Sequence, residues 1–375
     1  MTAQRIIVVG VGTMGSAACA ELARRGADVI GLERFSIGHT YGAHGGQSRA
    51  FRLSYFEHPD YVPLLKRART LWLELNKDTG RQIYHPVGGV YLAPPGADFV
   101  RLSHEAAMQH ELDVELLDAK AVRSRFPVFD IPDDWSALVE SPAGFIVPEW
   151  SVSAFADIAL RHGAELREGV QVLGWDTTAS GVRVETTAGV VDGDRLVLTG
   201  GAWAQGLAGI DGLHVRPSRQ VLGWVDAPHS ARVDSGQLPV WALELEDSSV
   251  LYGFPRTGGL PGPAGFKVAR HWAGPTMDPD DLDRSTCDAD ADDFMPHLKR
   301  FMPSAVGAVL DMQACVYANS VDGHFRIGLH PESDRVVVAA GFSGHGLKFQ
   351  PVVGEVLADL ALTAETRHSI GFISL

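Results

Sequence analysis

The feature that most constrains this chain is a glycine-rich turn between a buried strand and a helix near its beginning. Arg5 to Val9 form a β-branched run, typical of a parallel strand covered on both faces. A Gly10-Val11-Gly12-Thr13-Met14-Gly15 turn follows at once and opens a stretch of helical spacing. In such a turn Gly10 permits the tight bend, Gly12 lets the backbone approach a pyrophosphate, and Gly15 lets helix and strand pack closely. The pattern predicts a dinucleotide-binding fold.

An acidic residue extends this pattern. Glu33 ends the second predicted strand, 18 residues after Gly15, where a carboxylate accepts hydrogen bonds from ribose hydroxyls. An acid in this place disfavours a ribose 2′-phosphate. The motif fits NAD and FAD equally, so both stay open at this point.

Length and charge narrow the possible partners. A chain of 375 residues exceeds one ordinary core, which favours two domains or an α/β unit with a second lobe. The net charge of −14 repels nucleic acid and anionic lipid, so we expect neither as a partner. The sequence lacks an apolar run of about 18 residues and a signal-peptide pattern, from which we predict a cytoplasmic protein.

The three cysteines, Cys19, Cys287 and Cys315, are far apart and lack a CxxC spacing. We therefore expect neither a disulfide framework nor a metal site. Taken alone, Cys315 is a small buried hydrophobe, as free cysteines usually are.

Strands of the parallel type occur near both ends of the chain, with antiparallel signals between them. Residues 335–340 form another buried-strand run before a helix from about 347 to 362, whereas 220–224, 250–252 and 266–270 are typical of antiparallel strands. Other helices are predicted at 61–75, 97–109, 119–125 and 152–162. We predict an α/β (α+β) fold, in which a Rossmann-like domain is interleaved with a substrate domain built on a mainly antiparallel sheet.

Two further loops combine glycines with cations. The stretch His44 to Arg49, followed by Arg52, places two arginines where they can face a phosphate, a flavin or a carboxylate, although a solvated basic turn explains them equally well. Gly341 to Lys348 lies at a strand-to-helix junction, where it can present backbone donors and a lysine to an anionic ligand.

Together, four motifs resemble the monomeric sarcosine oxidase and N-methyltryptophan oxidase family of flavoenzymes, within the D-amino-acid-oxidase-like superfamily. They are the turn at 10–15, Gly-Gln-Ser-Arg-x-x-Arg at 46–52, Ala-Cys-x-Tyr at 314–317 and Gly-Phe-Ser-Gly-His-Gly-x-Lys-Phe at 341–349. The similarity runs over nearly the whole chain. It implies an FAD-binding domain at 1–85, 146–215 and 322–375, and a substrate domain at 86–145 and 216–321.

The resemblance also implies a reaction. A sarcosine-like N-methyl amino acid would lose a hydride from the carbon next to nitrogen to flavin N5, the imine would be hydrolysed, and oxygen would be reduced to hydrogen peroxide. FAD would be attached to Cys315 as an 8α-S-cysteinyl thioether, in a monomer whose partners are the secondary amino acid and oxygen. Two alternatives stay open: a flavin dehydrogenase of a cyclic imino acid such as proline or pipecolate, using another acceptor, and an NAD-binding regulatory protein.

Site residues carry over by local match. The resemblance assigns oxygen activation to Lys267 and a place against the flavin to Arg49. It puts His271 and Tyr317 in the catalytic site, with Tyr252 beside the substrate. The substrate carboxylate would bind Arg52 and Lys348, two cations fixing an anion better than one. The expected cofactor-binding residues are Gly10, Gly12, Gly15, Glu33, His44, Ser48, Arg49, Cys315, Gly344, Gly346 and Lys348.

The chain also departs from the family. Gly45 follows His44 where family members carry a second histidine, Gln47-Ser48 replaces Asp-Thr, and the loop from Arg256 to Ala264 is slightly longer. These departures leave the identity of the amine open, because specificity depends on pocket shape.

Overall fold

The computed structural model describes residues 3–375, which form four sheets and eight α-helices. The strands are β1 (Arg5–Val9), β2 (Asp28–Leu32), β3 (Arg49–Phe51), β4 (Tyr84–His85), β5 (Gly89–Ala93), β6 (Val114–Asp118), β7 (Ser136–Glu140), β8 (Gly144–Ile146), β9 (Glu165–Arg167), β10 (Val172–Thr177), β11 (Val182–Thr186), β12 (Gly189–Gly193), β13 (Arg195–Leu198), β14 (Arg216–Val225), β15 (Val240–Glu244), β16 (Val250–Phe254), β17 (Phe266–His271), β18 (Val309–Asn319), β19 (Arg326–His330) and β20 (Ser333–Ala340). The helices are α1 (Thr13–Arg24), α2 (Tyr61–Thr79), α3 (Asp98–Gln109), α4 (Ala119–Arg125), α5 (Pro148–Arg161), α6 (Ala204–Ala208), α7 (Met295–Phe301) and α8 (Gln350–Thr363).

A six-stranded sheet contains the predicted dinucleotide fold. Its order is β19-β20-β13-β1-β2-β9, and every pair is parallel except the edge pair of β19 with β20. Residues 6–9 of β1 are buried, as the β-branched run predicts. Helix α1 lies so close to α8 that a Cβ on Gly354 would sit 2.9 Å from Ala17. Small residues therefore set how closely the helices cover this sheet.

An eight-stranded sheet forms the second large layer. Its order is β18-β14-β17-β16-β15-β5-β7-β6, and all of its pairs are antiparallel except β15 with β5. Its strands come from two separate stretches, 89–140 and 216–319, while those of the six-stranded sheet come from before, between and after them. The predicted fold class, a parallel sheet interleaved with a mainly antiparallel one, is confirmed. The domain boundaries stay a prediction; β8 crosses the one at 145/146, and residues 1 and 2 lie outside the described residues.

A small sheet, β3-β8-β4, positions the loop that carries the two arginines. Strand β3 pairs antiparallel with β8, so that Arg49 lies opposite Ile146 and Phe51 opposite Gly144. A Cβ on Gly144 would sit 2.0 Å from the His85 carbonyl oxygen, so only glycine permits this close approach.

Three elements differ from the predictions in their bounds or in their presence. Helix α5 begins at Pro148 instead of residue 152, because proline is well suited to the first helical turn. The chain from Leu347 to Phe349 forms a 3-10 turn before α8. Strand β18 is not predicted at all; its 11 residues are held by pairing along β14, which places Cys315 opposite Gln220. In the part of the chain that the structure describes, no helix combines the length and apolarity that crossing a membrane requires.

Candidate active site

A cavity of about 370 Å³ lies where β1 ends and α1 begins. Seven of the predicted cofactor-binding residues line it: Gly10, Gly12, Glu33, His44, Arg49, Gly344 and Gly346. Four others, Gly15, Ser48, Cys315 and Lys348, do not.

The glycine turn has the geometry that its sequence predicts. Gly10 has a φ of +87°, and a Cβ there would sit 2.6 Å from the Thr199 carbonyl oxygen. A Cβ on Gly15 would sit 1.8 Å from the Gly10 carbonyl oxygen. The Thr199 hydroxyl donates to that oxygen at 2.7 Å and fixes the turn. Gly15 therefore acts by packing, which explains why it does not line the cavity.

Glu33 is fixed at the rim of this cavity. Its carboxylate accepts hydrogen bonds from the backbone N–H groups of Val11 (2.9 Å) and Phe35 (3.0 Å), and His39 Nε2 lies 3.3 Å from Oε1. Burial alone raises the pKa of Glu33, but these contacts outweigh it and hold the pKa below its usual value. The group is an ionised acceptor.

A second cavity of about 90 Å³ adjoins the first, and Arg49, Gly344 and Leu347 line both. The structure brings five predicted residues together around it: Arg52, Lys348, Tyr252, His271 and Tyr317. Its apolar wall was not predicted, because it is formed by side chains from distant strands and helices that share no motif: Phe56, Tyr91, Phe99, Val240, Ala242 and Val250.

Arg52 is already paired with a carboxylate. Its Nη2 donates to both oxygens of Glu57, at 2.7 and 2.6 Å, and its Nη1 donates to the Ser54 carbonyl at 3.0 Å. The guanidinium carbon lies 4.3 Å from the Tyr55 ring centre and 4.8 Å from that of Phe56. Arg52 is thus a buried cation whose charge is compensated by Glu57, a residue that the sequence analysis missed although it lies five positions along the chain.

Lys348 begins a chain of hydrogen bonds that continues through Tyr55 and His345. Its Nζ donates to the His345 carbonyl (2.8 Å) and the Tyr55 hydroxyl (3.3 Å). His345 Nε2 lies 2.9 Å from the Gly323 carbonyl and must donate to it, so Nδ1 accepts from the Tyr55 hydroxyl at 2.6 Å. Burial, reinforced by the charge of Arg52, lowers the pKa of Lys348 to about 7.

His271 and Tyr317, which line the same cavity, form a neutral polar pair. His271 Nδ1 and the Tyr317 hydroxyl oxygen are 3.0 Å apart. Burial lowers the pKa of His271 to about 4 and raises that of Tyr317 well above its usual value. A Cβ on Gly344, which has a φ of +76°, would sit 2.3 Å from the Tyr317 ring, so the glycine loop makes room for this ring.

Lys267 lies outside both cavities, buried at 1% exposure on β17. Its Nζ donates to the carbonyls of Gly46 (2.5 Å) and Ser48 (2.7 Å), and it lies 4.7 Å from the Phe254 ring centre. Burial, followed by the charge of Arg49, lowers its pKa well below the usual value. Arg49 is likewise held by carbonyls, including that of Ser48 at 3.0 Å. Lys267 and Arg49 therefore form a second pair of buried cations, both held by backbone carbonyls of the segment 45–48.

Gln47 explains one departure from the family pattern. Its Oε1 accepts from Trp224 Nε1 at 2.8 Å, and its Nε2 donates to the carbonyls of Pro261 (3.0 Å) and Pro263 (2.9 Å). An aspartate has no N–H to donate. The Gln47 amide therefore ties the loop at 256–264 to the loop that carries Arg49 and Arg52.

Cys315 is 3% exposed and packs with Leu222, Trp224 and Ala269. Burial raises the pKa of its thiol, and the charges of Arg49 and Lys267 oppose that rise. The sulfur thus lies beside the cation pair but lines neither cavity.

The profile of the FAD dependent oxidoreductase family matches residues 5–360. This chain belongs to that family. A monomeric sarcosine oxidase from Streptomyces avermitilis is 41% identical to it over 370 residues, 98% of this chain and 95% of that protein. One from Bacillus sp. (strain B-0618) is 36% identical, covering 99% and 95% of the two chains, and an N-methyl-L-tryptophan oxidase from Yersinia pestis (strain Pestoides F) is 31% identical, covering 99% and 98%. The predicted family is confirmed.

Solved structures share the fold of this FAD dependent oxidoreductase. NikD, an amino acid oxidase of nikkomycin biosynthesis in its open form, superposes with a TM-score of 0.86 at 22% identity, over 100% of this chain and 98% of its own. The L-proline dehydrogenase from P. horikoshii has a TM-score of 0.83 at 22% identity, over 99% and 96%.

The large cavity fits FAD on its own geometry. No side chain in the described residues caps the N-terminus of α1, so its first N–H groups are left for a ligand. His44 is 2% exposed, lines the cavity, and has a buried Nε2 without a partner in the described residues. Because buried polar atoms are rarely left unpaired, this nitrogen is suited to hydrogen bond with a bound cofactor. Family membership thus favours FAD over the NAD-binding alternative.

Proposed function

We propose that this protein is an FAD-dependent oxidase of secondary amino acids, sarcosine-like N-methyl amino acids, with oxygen as acceptor. The observation that carries the proposal is the junction of the two cavities. A pocket holding Arg52 and Lys348 shares Arg49, Gly344 and Leu347 with the dinucleotide cavity. A small carboxylate held there would lie next to the cofactor.

Arg52 and Lys348 bind the substrate carboxylate. Their charges come from two different segments, so together they fix both position and orientation. Arg52 is engaged by Glu57, and a substrate carboxylate must displace or share that contact. The apolar wall that includes Phe99 and Ala242 excludes water from the substrate carbon.

The amine end lies toward the neutral pair of His271 and Tyr317, with Tyr252 beside them. This pair offers no counter-charge to an ammonium ion, and the nearby Arg52 and Lys348 disfavour a further positive charge. The substrate nitrogen is thereby held in its unprotonated form, in which its lone pair can form the C=N bond as the neighbouring C–H bond breaks. Water then hydrolyses the imine.

When bound, FAD supplies the two-electron acceptor, which takes the hydride and passes both electrons to oxygen to give hydrogen peroxide. Arg49 lies at the junction of the cavities and keeps that region positive. The Lys267 ammonium stabilises negative charge that develops on dioxygen, an effect that is strong where water is excluded. This supports oxygen as the acceptor over a dehydrogenase of a cyclic imino acid.

Covalent attachment of FAD through Cys315 is part of the proposal. Its support is the matching Ala-Cys-x-Tyr motif, together with the charges of Arg49 and Lys267, which oppose the rise that burial causes in the pKa of the Cys315 thiol. In Cys315→Ala, the pellet after acid precipitation should be colourless, whereas Cys287→Ala, at an exposed cysteine, should keep its yellow colour. Flavin that stays in the Cys315→Ala pellet would exclude this attachment.

The activity itself is tested by peroxide release from purified protein. We expect peroxide with sarcosine or a larger N-methyl amino acid, and oxygen uptake that matches imine production. Reduction of an artificial acceptor without oxygen uptake, with proline or pipecolate as donor, would favour the dehydrogenase instead. The domain boundaries, the monomeric state and the cytoplasmic location stay predictions from the sequence.

A further inference from the structure

Two glutamate side chains, one buried and one half-buried, contact the backbone at the two ends of the short strand pair β3 and β8. Within the pair, backbone hydrogen bonds join 49–51 to 144–146 in antiparallel register. Beyond each end of this pairing, a glutamate side chain accepts hydrogen bonds from backbone N–H groups of the segment that flanks β3. These side chains are Glu149, just after β8, and Glu140, at the end of β7.

Glu149 holds the loop that cradles Lys267. Its Oε1 accepts from the backbone N–H groups of Gly46 (2.8 Å) and Gln47 (3.0 Å). The carbonyls of Gly46 and Ser48, on either side of Gln47, are the acceptors of the Lys267 ammonium. The other oxygen of Glu149, Oε2, is buried and has no partner in the described residues, so a single oxygen makes both contacts.

Glu140 holds the loop that positions Arg52. It is fully buried, and its Oε1 accepts from Leu53 N–H at 2.6 Å. Its Oε2 accepts from Ser54 N–H at 3.1 Å and from the Ser54 hydroxyl. The Ser54 carbonyl in turn accepts from Arg52 Nη1 at 3.0 Å. Here both carboxylate oxygens are used.

We propose that Glu149 and Glu140 are positioning residues with separate roles. Glu149 positions Lys267 for the reduction of oxygen, and Glu140 positions Arg52 for substrate binding. The inference rests on the proposed function. A 10-residue segment, 140–149, would thereby align both halves of the site, although neither glutamate lines either cavity. Removing one contact should affect one half-reaction only.

The first test measures the two half-reactions of the holoenzyme separately by stopped flow. Glu149→Ala should slow reoxidation of the dithionite-reduced protein about tenfold and leave the affinity for sarcosine nearly unchanged, as loss of a buried hydrogen-bond acceptor predicts. Glu140→Ala should weaken sarcosine binding about tenfold and leave reoxidation nearly unchanged. The control is Glu355→Gln, at a buried carboxylate held by Arg67 and His368 away from both cavities, which should change neither.

Glutamine variants add a second test, because Glu149 accepts through one carboxylate oxygen and Glu140 accepts through both. Glu149→Gln keeps one acceptor oxygen and should restore most of the oxygen reaction. Glu140→Gln should not restore substrate binding, because the amide NH₂ leaves the Ser54 N–H unpaired. Thermal unfolding of each variant identifies any that fails to fold, and the corresponding aspartate variant then replaces it.

A readout without turnover separates failure of this inference from failure of the proposed function. The chain has six lysines, and only Lys267 and Lys348 are buried. In protein labelled with ¹³C at the lysine ε-carbons, Glu149→Ala should shift the Lys267 resonance and its titration, and Glu140→Ala should not. If Lys267→Met leaves the rate of reoxidation unchanged, the function proposed for Lys267 is wrong. The Lys267 resonance in Glu149→Ala still tests whether Glu149 positions that lysine. Equal effects of both alanine variants on both half-reactions, or none on either, would overturn the proposal.

Discussion

The molecule buries two lysine–arginine pairs, and within the described residues only one of the two contains a cation paired with a carboxylate. Lys267 and Arg49 donate only to neutral oxygens, and neither forms an ion pair within the described residues. Arg52, beside Lys348, is paired with the Glu57 carboxylate through two hydrogen bonds. All four residues are buried, so burial does not distinguish the pairs.

The difference matches two kinds of chemistry. Burying a charge without a counter-ion costs free energy. Negative charge that develops nearby during a reaction compensates such a cation, so the cation stabilises that charge strongly. A cation that already holds a carboxylate can exchange it for another at a smaller cost, because the charge is compensated before and after binding. We therefore propose that the first pair acts in the reduction of oxygen and that the second pair binds the carboxylate, which the substrate carries throughout the reaction.

The largest effect is expected from replacing Lys267, which has no carboxylate partner within the described residues. Lys267→Met should slow reoxidation by oxygen about 10²- to 10³-fold, in the range measured for losing one preorganised electrostatic contact, and change anaerobic reduction by substrate much less. Stopped-flow measurement of both half-reactions checks this, with Lys299→Met, at an exposed lysine, as control. Equal slowing of both would remove the oxygen role.

Removing the compensated arginine tests the other pair. Arg52→Met should raise the KM for sarcosine about 10²-fold, because one of the two cations proposed to bind the carboxylate is lost. Dimethylamine, which is sarcosine without its carboxylate, should be oxidised equally poorly by Arg52→Met and by the unaltered protein. If Arg52→Met slows the oxidation of sarcosine and of dimethylamine by the same factor, Arg52 does not bind the carboxylate.

The Glu57 contact should act as a competitor of the substrate. In Glu57→Gln the side chain keeps its size but loses its charge, so the KM for sarcosine should fall by about three- to tenfold with kcat little changed. Steady-state kinetics at constant ionic strength check this. A raised KM would mean that Glu57 positions Arg52 and does not compete.

The smallest expected effect is a pH dependence of anion binding. Lys348 has a pKa of about 7, below its usual value, so its charge is present below that pH and is lost as pH rises through it. Binding of methoxyacetate, a carboxylate without a titrating amine, should therefore weaken above pH 7. The dependence should disappear in Lys348→Met, and its persistence there would assign the titration to another group.

Much of the cofactor site could be predicted from sequence because its motif is local. Gly10, Gly12 and Glu33 lie within one strand–turn–helix–strand unit, and the structure places all three around the same cavity. Lys267 and Cys315 were recognised only by family resemblance, and both lie outside the cavities, where no short pattern distinguishes a buried lysine or cysteine from an ordinary strand residue.

The amino-acid sequence by itself determined the buried strands of the parallel sheet, the glycine turn and the family, because short local motifs specify each of them. Only the tertiary structure decided which cation is compensated and which is not. Glu57 is close to Arg52 in sequence, but Glu140 and Glu149 lie about 90 to 100 residues from the loops that they hold. Charge compensation depends on distances across packed strands, and those distances exist only once both sheets have formed.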